Sequence, residues 1–422
     1  MSGALAPSKA LVGQAAALLD ETLARSGAAD RTVSGFFRSH RSLGQRERAF
    51  IAESVYAALR RKRSLAAAAG SESPRALVIG GLVRVLGYSG RAIDEALSDT
   101  DRELVARIRR TPVEAMPPAV QADLPDWCWE RLVARYGAEE AMRIARGLLD
   151  AAPLDLRVNL ARISREDALA QLSQTGIEGA LSAYSPCGIR LKGKPAINRH
   201  ALFKEGLVEV QDEGSQLLAY LVAPRRGEMV ADFCAGAGGK TLAMAMLMRS
   251  SGRLYAMDVS AKRLSALTPR LRRAGVSNVH PVALDSENDE RVKRLAGKLD
   301  RVLVDAPCSG FGTLRRNPDL KWRHGPEAVE QLVEKQHRIL AAAARLVKPG
   351  GRIVYATCSL LDEENEAIAA RFAATHPQFR ELHCGELFKA LKIPLEMPAQ
   401  LRLWPHVHHT DGFFAAVFER EA

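Results

Sequence analysis

The sequence predicts a multidomain protein with an N-terminal all-α bundle, a small α+β unit and a C-terminal α/β domain built on a Rossmann-like, doubly wound sheet. The length of 422 residues suffices for two or three domains. Apolar residues keep a helical spacing over residues 8–110, where runs typical of strands are scarce. From about residue 206 onward, short apolar runs alternate with helical segments, which favours a parallel sheet with crossover helices.

We predict domain limits of 1–120, 121–205 and 206–422. A proline-rich linker that contains Pro112, Pro117, Pro118 and Pro125 spans the boundary between the first and second domains. The second is expected to hold helices at 127–149 and 165–174 and strands at 154–158 and 189–191. The strands predicted for the third lie at 229–234, 254–258, 279–284, 301–305, 352–357 and 413–418.

Charge and cysteine usage restrict the class of protein. The formal net charge is +11, and residues 1–110 hold 18 Lys and Arg against 11 Asp and Glu, a net of +7. This excess favours a polyanionic partner such as nucleic acid, with a solvated basic face as the alternative. The six cysteines form no C-x-x-C pair, which argues against a zinc site and a disulfide framework and indicates reduced thiols. Because neither a signal peptide nor a membrane-length apolar run is recognisable, we expect a cytoplasmic protein with no membrane or metal partner.

A glycine-rich turn at 232–241 follows a predicted strand and precedes a predicted helix. A phosphate-binding P-loop would need glycine at Cys234, and a dinucleotide-binding G-x-G-x-x-G motif would need glycine at Thr241. A turn of small residues that leads into a helix presents free backbone N–H groups and the positive end of the helix dipole. Such a turn can hold the carboxylate of an amino-acid-type cofactor.

Acidic residues after the next two predicted strands extend this site. Asp258 lies where a ribose-binding acid is expected in a βαβ unit. Asp285 follows the third strand, where a carboxylate could accept from an adenine amine. Together with the glycine turn, this ordered set predicts S-adenosylmethionine as the cofactor. The alternative is that these acids only cap the strand ends.

Two cysteines, Cys308 and Cys358, follow predicted strands at the sheet edge where ligands bind. Pyrimidine C5 is a poor nucleophile toward a methyl sulfonium, but addition of a thiolate at C6 makes C5 enamine-like. A second group must then assist removal of the C5 proton and release of the thiolate. A carboxylic acid near N3, such as Asp305, would stabilise the adduct. A free cysteine is usually a small buried hydrophobe. This interpretation applies to Cys128, Cys187 and Cys384, which lie outside the glycine turn and the two cysteine turns.

These motifs resemble the Nol1/Nop2/Sun family of RNA cytosine-5 methyltransferases over roughly residues 206–422. The segments that carry the resemblance are 232–241, 258–263, 305–310, 315–322, 357–359, 363–366 and 411–414. Residues 8–110 resemble, more weakly, the NusB-type helical RNA-binding domain, through segments 43–48 and 56–60. That domain points to the members of the family that modify bacterial 16S rRNA.

The resemblance implies roles for individual residues. Cys358 would be the nucleophile, Cys308 would assist breakdown of the adduct, and Asp305 would contact the base. The implied cofactor site consists of Cys234, Ala235, Gly236, Ala237, Gly238, Gly239, Lys240, Asp258, Arg263, Asp285 and Asp305. The implied reaction transfers a methyl group from S-adenosylmethionine to C5 of a cytosine in 16S rRNA through a cysteine–C6 adduct. The open alternatives are the same chemistry on tRNA or another RNA, a silent RNA-binding assembly factor, and Cys308 as the nucleophile.

Departures from the family pattern lie at three positions. The family turn usually has alanine at Gly236 and proline at Ala237; both changes loosen the turn but keep its residues small. Ser286 stands where glycine or alanine is common, which leaves the contact made by Asp285 open.

The segment 315–322 mixes cations with an aromatic residue close to Cys308. Its cations, Arg315, Arg316 and Lys321, are expected to contact RNA phosphates. Trp322 could stack on a base or anchor the segment on the protein, and we expect the segment to combine both roles.

Overall fold

The computed structural model describes residues 7–25 and 27–422, and these divide into two units. One unit contains the described residues up to Ala151 together with Thr313–Pro326, and the other contains Ala152–Gly312 together with Glu327–Ala422. The three-part division by sequence therefore stays a prediction. Within the described ranges, no helix combines the length and apolar character that a membrane crossing requires.

The first unit is helical, and the apolar spacing of the sequence accounts for it. Leu18 and Leu19 of the first helix and Ile51 of the third are fully buried in one core. The predicted helix at 127–149 is two helices, because Gly137 has a φ of +78° that a helix cannot continue through. The α-helices of this unit are Lys9–Ala24, Ala29–Ser39, Gln45–Arg60, Lys62–Ala69, Pro74–Arg84, Gly90–Ile93, Asp99–Arg110, Pro118–Gln121, Asp126–Tyr136, Ala138–Leu149 and Leu320–Arg323.

The second unit begins with a small antiparallel sheet. Its strands are β1 (Leu154–Val158), β2 (Gly179–Leu181), β3 (Gly188–Leu191) and β4 (Val208–Val210), in the order β2-β3-β1-β4. Helices Arg165–Gln174 and Ala201–Lys204 belong to the same part of the chain. Leu156, Leu172 and Ile189 are fully buried in a core that this sheet shares with the first of these helices.

A larger mixed sheet follows. Its strands are β5 (Met229–Asp232), β6 (Arg253–Asp258), β7 (Val279–Ala283), β8 (Leu299–Asp305), β9 (Val347–Thr357), β10 (Phe379–Leu382), β11 (Leu401–Leu403) and β12 (Phe413–Arg420). Its α-helices are Glu213–Val222, Gly239–Leu247, Ala261–Ser265, Leu267–Ala274, Glu290–Lys293, Pro326–Ala344, Glu366–Thr375, Cys384–Ala390 and Pro405–His408. The strand order is β10-β12-β9-β8-β5-β6-β7, with β11 paired to β12. Strands β5 to β9 run parallel, and β12 is antiparallel to β9 and β10. The predicted fold class is confirmed.

Strand order determines where this sheet can bind a ligand. From β5 the chain proceeds to β6 and β7 on one side, and then returns to β8 and β9 on the other. The carboxyl ends of β5 and β8 therefore flank the point where the order reverses, which is where doubly wound sheets open a crevice. Buried residues on both faces of the sheet fix these strands in place, as Leu303 and Val304 do for β8.

Candidate active site

A cavity of about 410 Å³ opens at the carboxyl ends of β5, β6, β8 and β9. Its lining consists of Gln211, Ser215, Asp232, Phe233, Cys234, Ala235, Gly236, Ala237, Gly239, Lys240, Asp258, Val259, Arg263, Leu284, Glu287, Asp305, Ala306, Pro307, Cys308, Lys335, Ile339 and Cys358. Most of the residues predicted for the cofactor and the cysteine chemistry thus share one cavity.

The glycine turn between β5 and helix Gly239–Leu247 forms one wall of the cavity. Gly238 has a φ of +83°, so the chain can reverse sharply before the helix begins. Two guanidinium groups hold the carbonyl groups of the turn. Arg157 of β1 donates to the Gly239 carbonyl at 2.7 Å, and Arg270 donates to the Ala237 carbonyl. The N–H groups of Ala235, Gly236 and Gly238 are paired within the protein, so a ligand would be bound by the N–H groups of the first turn of helix Gly239–Leu247.

Asp232, the last residue of β5, carries a buried carboxyl group on the cavity wall. Its Oδ2 accepts a hydrogen bond from the Thr241 hydroxyl at 2.7 Å, whereas its Oδ1 has no hydrogen-bond partner among the described residues. Burial raises the pKa of Asp232 to about 7, and the negative charge of Asp305 adds to the shift. Such a group can accept a hydrogen bond from a ligand or donate one near neutral pH.

Asp258 ends β6, as predicted, and its carboxylate is also buried at the cavity. Its two oxygens accept the backbone N–H groups of Gly236 and Ser260, at 2.8 and 2.7 Å. Each oxygen keeps a lone pair that could accept from a ribose hydroxyl. Arg263 lies 3.7 Å from the same carboxylate and also lines the cavity.

Asp285 is placed differently. Its side chain is 97% exposed and lies 3.4 Å from Arg291, and it is not among the cavity-lining residues. Its neighbours Leu284 and Glu287 line the cavity instead. The Asp285 side chain therefore points away from the cavity in this structure, and its place after a predicted strand does not show that.

Cys308 and Cys358 come together although 50 residues separate them in the chain. Strands β8 and β9 are parallel neighbours with Asp305 opposite Ala356, so the turns that follow them meet at one edge. The two Sγ atoms lie 3.4 Å apart, and both residues are half-buried at the cavity. The contact with the Cys358 thiol and burial both raise the pKa of Cys308.

Asp305 ends β8 and pairs with Lys240. The Lys240 Nζ lies 2.7 Å from Asp305 Oδ2 and 5.4 Å from the centre of the Phe413 ring. Burial lowers the pKa of Lys240, but the charge of Asp305 and their hydrogen bond more than offset this effect, so the net shift is upward. The Lys240 ammonium and the Asp305 carboxyl group are therefore held together at the cavity that the two thiols also line.

The predicted RNA-contact segment packs within the helical unit. Arg315 and Lys321 are 5% and 2% exposed, which does not favour contact with RNA phosphates on that unit's surface. The Lys321 ammonium donates to the Arg60 carbonyl at 2.8 Å, and burial lowers the pKa of Lys321 to about 7. The Trp322 indole N–H donates to the Leu59 carbonyl at 2.7 Å, which fits the anchoring role. Arg316 is half-buried.

Several residues at the site carry no assignment from sequence reasoning. Gln211 lines the cavity, yet no motif in the sequence placed it there. Glu287 and Lys335 reach the cavity from segments without a motif. The described part of the chain contains no group of three or more His, Cys, Asp or Glu side chains arranged to bind a metal ion.

Comparison with known proteins identifies the family. Residues 219–419 match the family described as 16S rRNA methyltransferase RsmB/F, and residues 124–198 match a ferredoxin-like domain described for the same proteins. A Bacillus subtilis protein named probable ribosomal RNA small subunit methyltransferase B is 32% identical over 342 residues, which cover 79% of this chain and 75% of that protein. The chain belongs to the RsmB/F family. A Synechocystis protein of the same name is 36% identical over 297 residues, 70% of this chain and 66% of that protein.

The fold of this RsmB/F family member also matches solved structures. The crystal structure of PH0851 is similar with a TM-score of 0.80 at 26% identity, and the match covers 98% of this chain and 99% of that one. A methyltransferase homologue from Pyrococcus horikoshii is similar with a TM-score of 0.62 at 30% identity, over 72% of this chain and 97% of that one. The predicted resemblance to this enzyme family is confirmed.

Membership of a methyltransferase family supports the predicted cofactor, S-adenosylmethionine, and the cavity fits such a molecule. Its volume is within the range of about 300–1,000 Å³ that small-molecule sites occupy. Its lining offers carboxylates for the ammonium and hydroxyl groups of the cofactor, and cations and a helix N-terminus for its carboxylate. The unpaired Oδ1 of Asp232 is a buried acceptor that a ligand would satisfy.

Proposed function

We propose that this chain transfers a methyl group from S-adenosylmethionine to C5 of a cytosine in 16S rRNA through a covalent cysteine–C6 adduct. The observation that carries the proposal is the 3.4 Å separation of Cys308 Sγ and Cys358 Sγ on the wall of the cavity. Two adjacent thiols at the cavity fit a reaction in which one adds to the base and the other assists breakdown of the adduct. The 16S rRNA substrate is proposed from the names of the B. subtilis and Synechocystis relatives.

The residues proposed to hold the cofactor are those of the glycine turn, 234–240, with Asp258 and Arg263. The backbone N–H groups at the start of helix Gly239–Leu247 would bind its carboxylate, and Asp258 its ribose hydroxyls. When bound, the cofactor supplies an electrophilic methyl group. Asp285 could bind the cofactor only if its exposed side chain turned toward the cavity. We therefore do not include it among the residues that hold the cofactor.

The two cysteines have separate roles in the proposal. Cys358 Sγ adds to C6 of the target cytosine, and the electrons of the C5–C6 double bond become available at C5 to take the methyl group. A base then takes the C5 proton, the electrons of the C5–H bond re-form the C5–C6 double bond, and the C6–S bond breaks, which restores the thiolate of Cys358. Cys308, whose Sγ lies 3.4 Å from that of Cys358, is proposed to act in the second half of the reaction, when the C5 proton is removed and the adduct breaks down.

Asp305 is proposed to bind the base at N3 during the addition, with Lys240 holding its carboxyl group in place. A proton shared between the Asp305 carboxyl group and N3 would neutralise charge that builds up on the ring as the thiolate adds. The Lys240 ammonium, 2.7 Å from Asp305, fixes the position of that carboxyl group.

The target base must leave its stack to reach thiols inside a cavity, which fits an unpaired or loosely paired nucleotide. The net charge of +11 favours RNA binding through phosphate contacts. The NusB-like domain, its contact with RNA and a cytoplasmic location stay predictions.

The test of the proposal is to incubate the purified chain and S-adenosylmethionine with naked 16S rRNA, assembled small subunits or tRNA, and to analyse nucleosides by mass spectrometry. We expect 5-methylcytidine in 16S rRNA and, in bisulfite sequencing of rRNA from a deletion strain, loss of one methylated position. A strong preference for tRNA would contradict the substrate. Absence of both methylation and cofactor binding would favour a silent RNA-binding factor.

A further inference from the structure

Both cysteine-bearing turns are fixed to one buried carboxylate, that of Glu364. We infer that Glu364 is a positioning residue that sets the separation of Cys308 and Cys358, an inference that rests on the proposed function for its consequence in catalysis. Glu364 follows Cys358 by six residues in the chain and ends a short 3₁₀-helix, Asp362–Glu364. Its side chain is fully buried.

The contacts of Glu364 reach the residue directly after each cysteine. Ser309, which follows Cys308, donates its backbone N–H to Oε1 at 2.8 Å and its hydroxyl to Oε2 at 2.5 Å. Ser359, which follows Cys358, donates its hydroxyl to the same Oε2. The two hydroxyl oxygens lie 3.1 Å apart, and both serines are fully buried. One carboxylate therefore joins the turn after β8 to the turn after β9.

Further contacts hold Glu364 itself in place. Gln336, on helix Pro326–Ala344, donates its side-chain amide to Glu364 Oε1 and to the Pro307 carbonyl, both at 3.0 Å. The Tyr355 hydroxyl donates to the Glu364 carbonyl at 2.6 Å. The Glu364 carboxylate is thus bound to helix Pro326–Ala344 and its backbone to β9, while Gln336 also links that helix to the residue before Cys308.

The burial and the hydrogen-bond donors of Glu364 agree with a structural role for its carboxyl group. Burial raises the pKa of Glu364, and the hydrogen bonds from its donors oppose that shift. Removing the carboxylate would leave several buried donors unpaired, which is costly. Neither Glu364 nor the two serines line the cavity, so Glu364 acts on the reaction through the cysteine turns.

The experiment compares Glu364→Ala with Glu364→Gln. A glutamine can still accept from the Ser309 N–H and from Gln336, and its NH₂ group can donate to the serine hydroxyls. Ser309→Ala is a milder second variant that removes one donor and keeps the backbone contact. Glu330→Gln, at an exposed position on the same helix as Gln336, is the matched control.

The first readout measures the separation of the thiols without using the methylation reaction. Diamide converts two thiols into a disulfide while its N=N bond takes up the two hydrogens. The two Sγ atoms, 3.4 Å apart, must approach to about 2.05 Å to form the Cys308–Cys358 disulfide, so its rate of formation reports how the two turns are held. Both disulfide formation and alkylation proceed through the thiolate. The rate of disulfide formation divided by the alkylation rate of the same cysteines is therefore independent of how much thiolate is present, and it reports the separation of the two thiols. We expect this ratio to fall about tenfold in Glu364→Ala, to fall less in Ser309→Ala, and to be kept within about threefold in Glu364→Gln and Glu330→Gln.

The second readout is turnover. Because a misplacement of about 1 Å can cost about 100-fold in rate, we expect kcat to fall about 100-fold in Glu364→Ala and about tenfold or less in Glu364→Gln, with KM for S-adenosylmethionine within about twofold. An unchanged disulfide ratio in folded Glu364→Ala and Ser309→Ala would overturn the inference. If wild-type protein forms no methylated RNA while the disulfide ratio still falls, the proposed function fails and the positioning role stands.

Discussion

At the residue scale, neighbouring acids on one sheet edge have different environments. Asp305 is paired with Lys240, whereas the fully buried Asp232 accepts a hydrogen bond from the Thr241 hydroxyl. The raised pKa of Asp232, about 7, means that folding favours its protonated form. Both residues lie at strand ends in the sequence. Only the structure shows that Asp305 has a lysine as its partner and that Asp232 has a hydroxyl group.

This difference predicts a pH dependence of stability. Because the folded pKa of Asp232 lies above its ordinary value of 3.8, the stability that its protonated form contributes is fully present below about pH 4. That contribution is lost as the pH rises through about 7. Asp232→Asn resembles the protonated form at every pH. The melting temperature of this variant minus that of the wild-type protein should therefore increase as the pH rises from 4 to 8.

The measurement is thermal unfolding of both proteins across that range without cofactor. Asp285→Asn, at a 97% exposed side chain, controls for loss of a carboxylate as such. A melting-temperature difference between Asp232→Asn and wild type that stays constant with pH would contradict the burial effect.

At the element scale, the glycine turn depends on tight packing against the helix Leu267–Ala274. A Cβ at Gly238 would lie 2.2 Å from Leu267 Cδ1, and the residue has a φ of +83°. Gly227 has nearly the same φ, +85°, but a Cβ there would meet nothing within 4 Å. An alanine at Gly227 would therefore meet only the cost of its backbone conformation, whereas an alanine at Gly238 would meet that cost and a steric clash.

We therefore expect Gly238→Ala to weaken S-adenosylmethionine binding and to destabilise the protein more than Gly227→Ala, whose cost is the backbone strain of about 1–2 kcal/mol. Calorimetric titration and denaturant unfolding measure the two effects. Leu267→Ala relieves the clash, so the double variant should be more stable than the sum of the single variants predicts. Equal effects of the two glycine variants would show that the turn can adjust.

Sequence patterns predict two elements to the residue. Helix Arg165–Gln174 and strand β1 have the predicted bounds, because each has a clear period and clear ends. Strands β2, β4 and β11 have three residues each, too few to show alternation. Strand β9 begins at Val347, five residues before the predicted start, because a register shift against β8 accommodates its Pro-Gly-Gly segment.

At the scale of the whole molecule, segment 313–326 belongs to a unit formed mainly by residues far from it in the sequence. A division of the chain into consecutive ranges cannot represent such a unit. The segment follows the Cys308 motif, yet it belongs to the helical unit, where Trp322 and Lys321 pack against helix Gln45–Arg60. Its cations and aromatic residue resemble an RNA-binding pattern, and only the tertiary structure reveals that two of the cations are buried. By contrast, the meeting of Cys308 and Cys358 was predictable, because parallel neighbouring strands end at the same edge.

The central claim is that Cys358 attacks C6 and that Cys308 releases the product. The two variants Cys308→Ala and Cys358→Ala, each incubated with S-adenosylmethionine and 16S rRNA, test it directly, and Cys384→Ala, a fully buried thiol elsewhere, serves as the control. RNA bound to protein is then resolved on a denaturing gel. We predict a stable covalent complex for Cys308→Ala and none for Cys358→Ala; a complex with Cys358→Ala alone would exchange the two roles, and no complex with either variant would contradict the covalent mechanism.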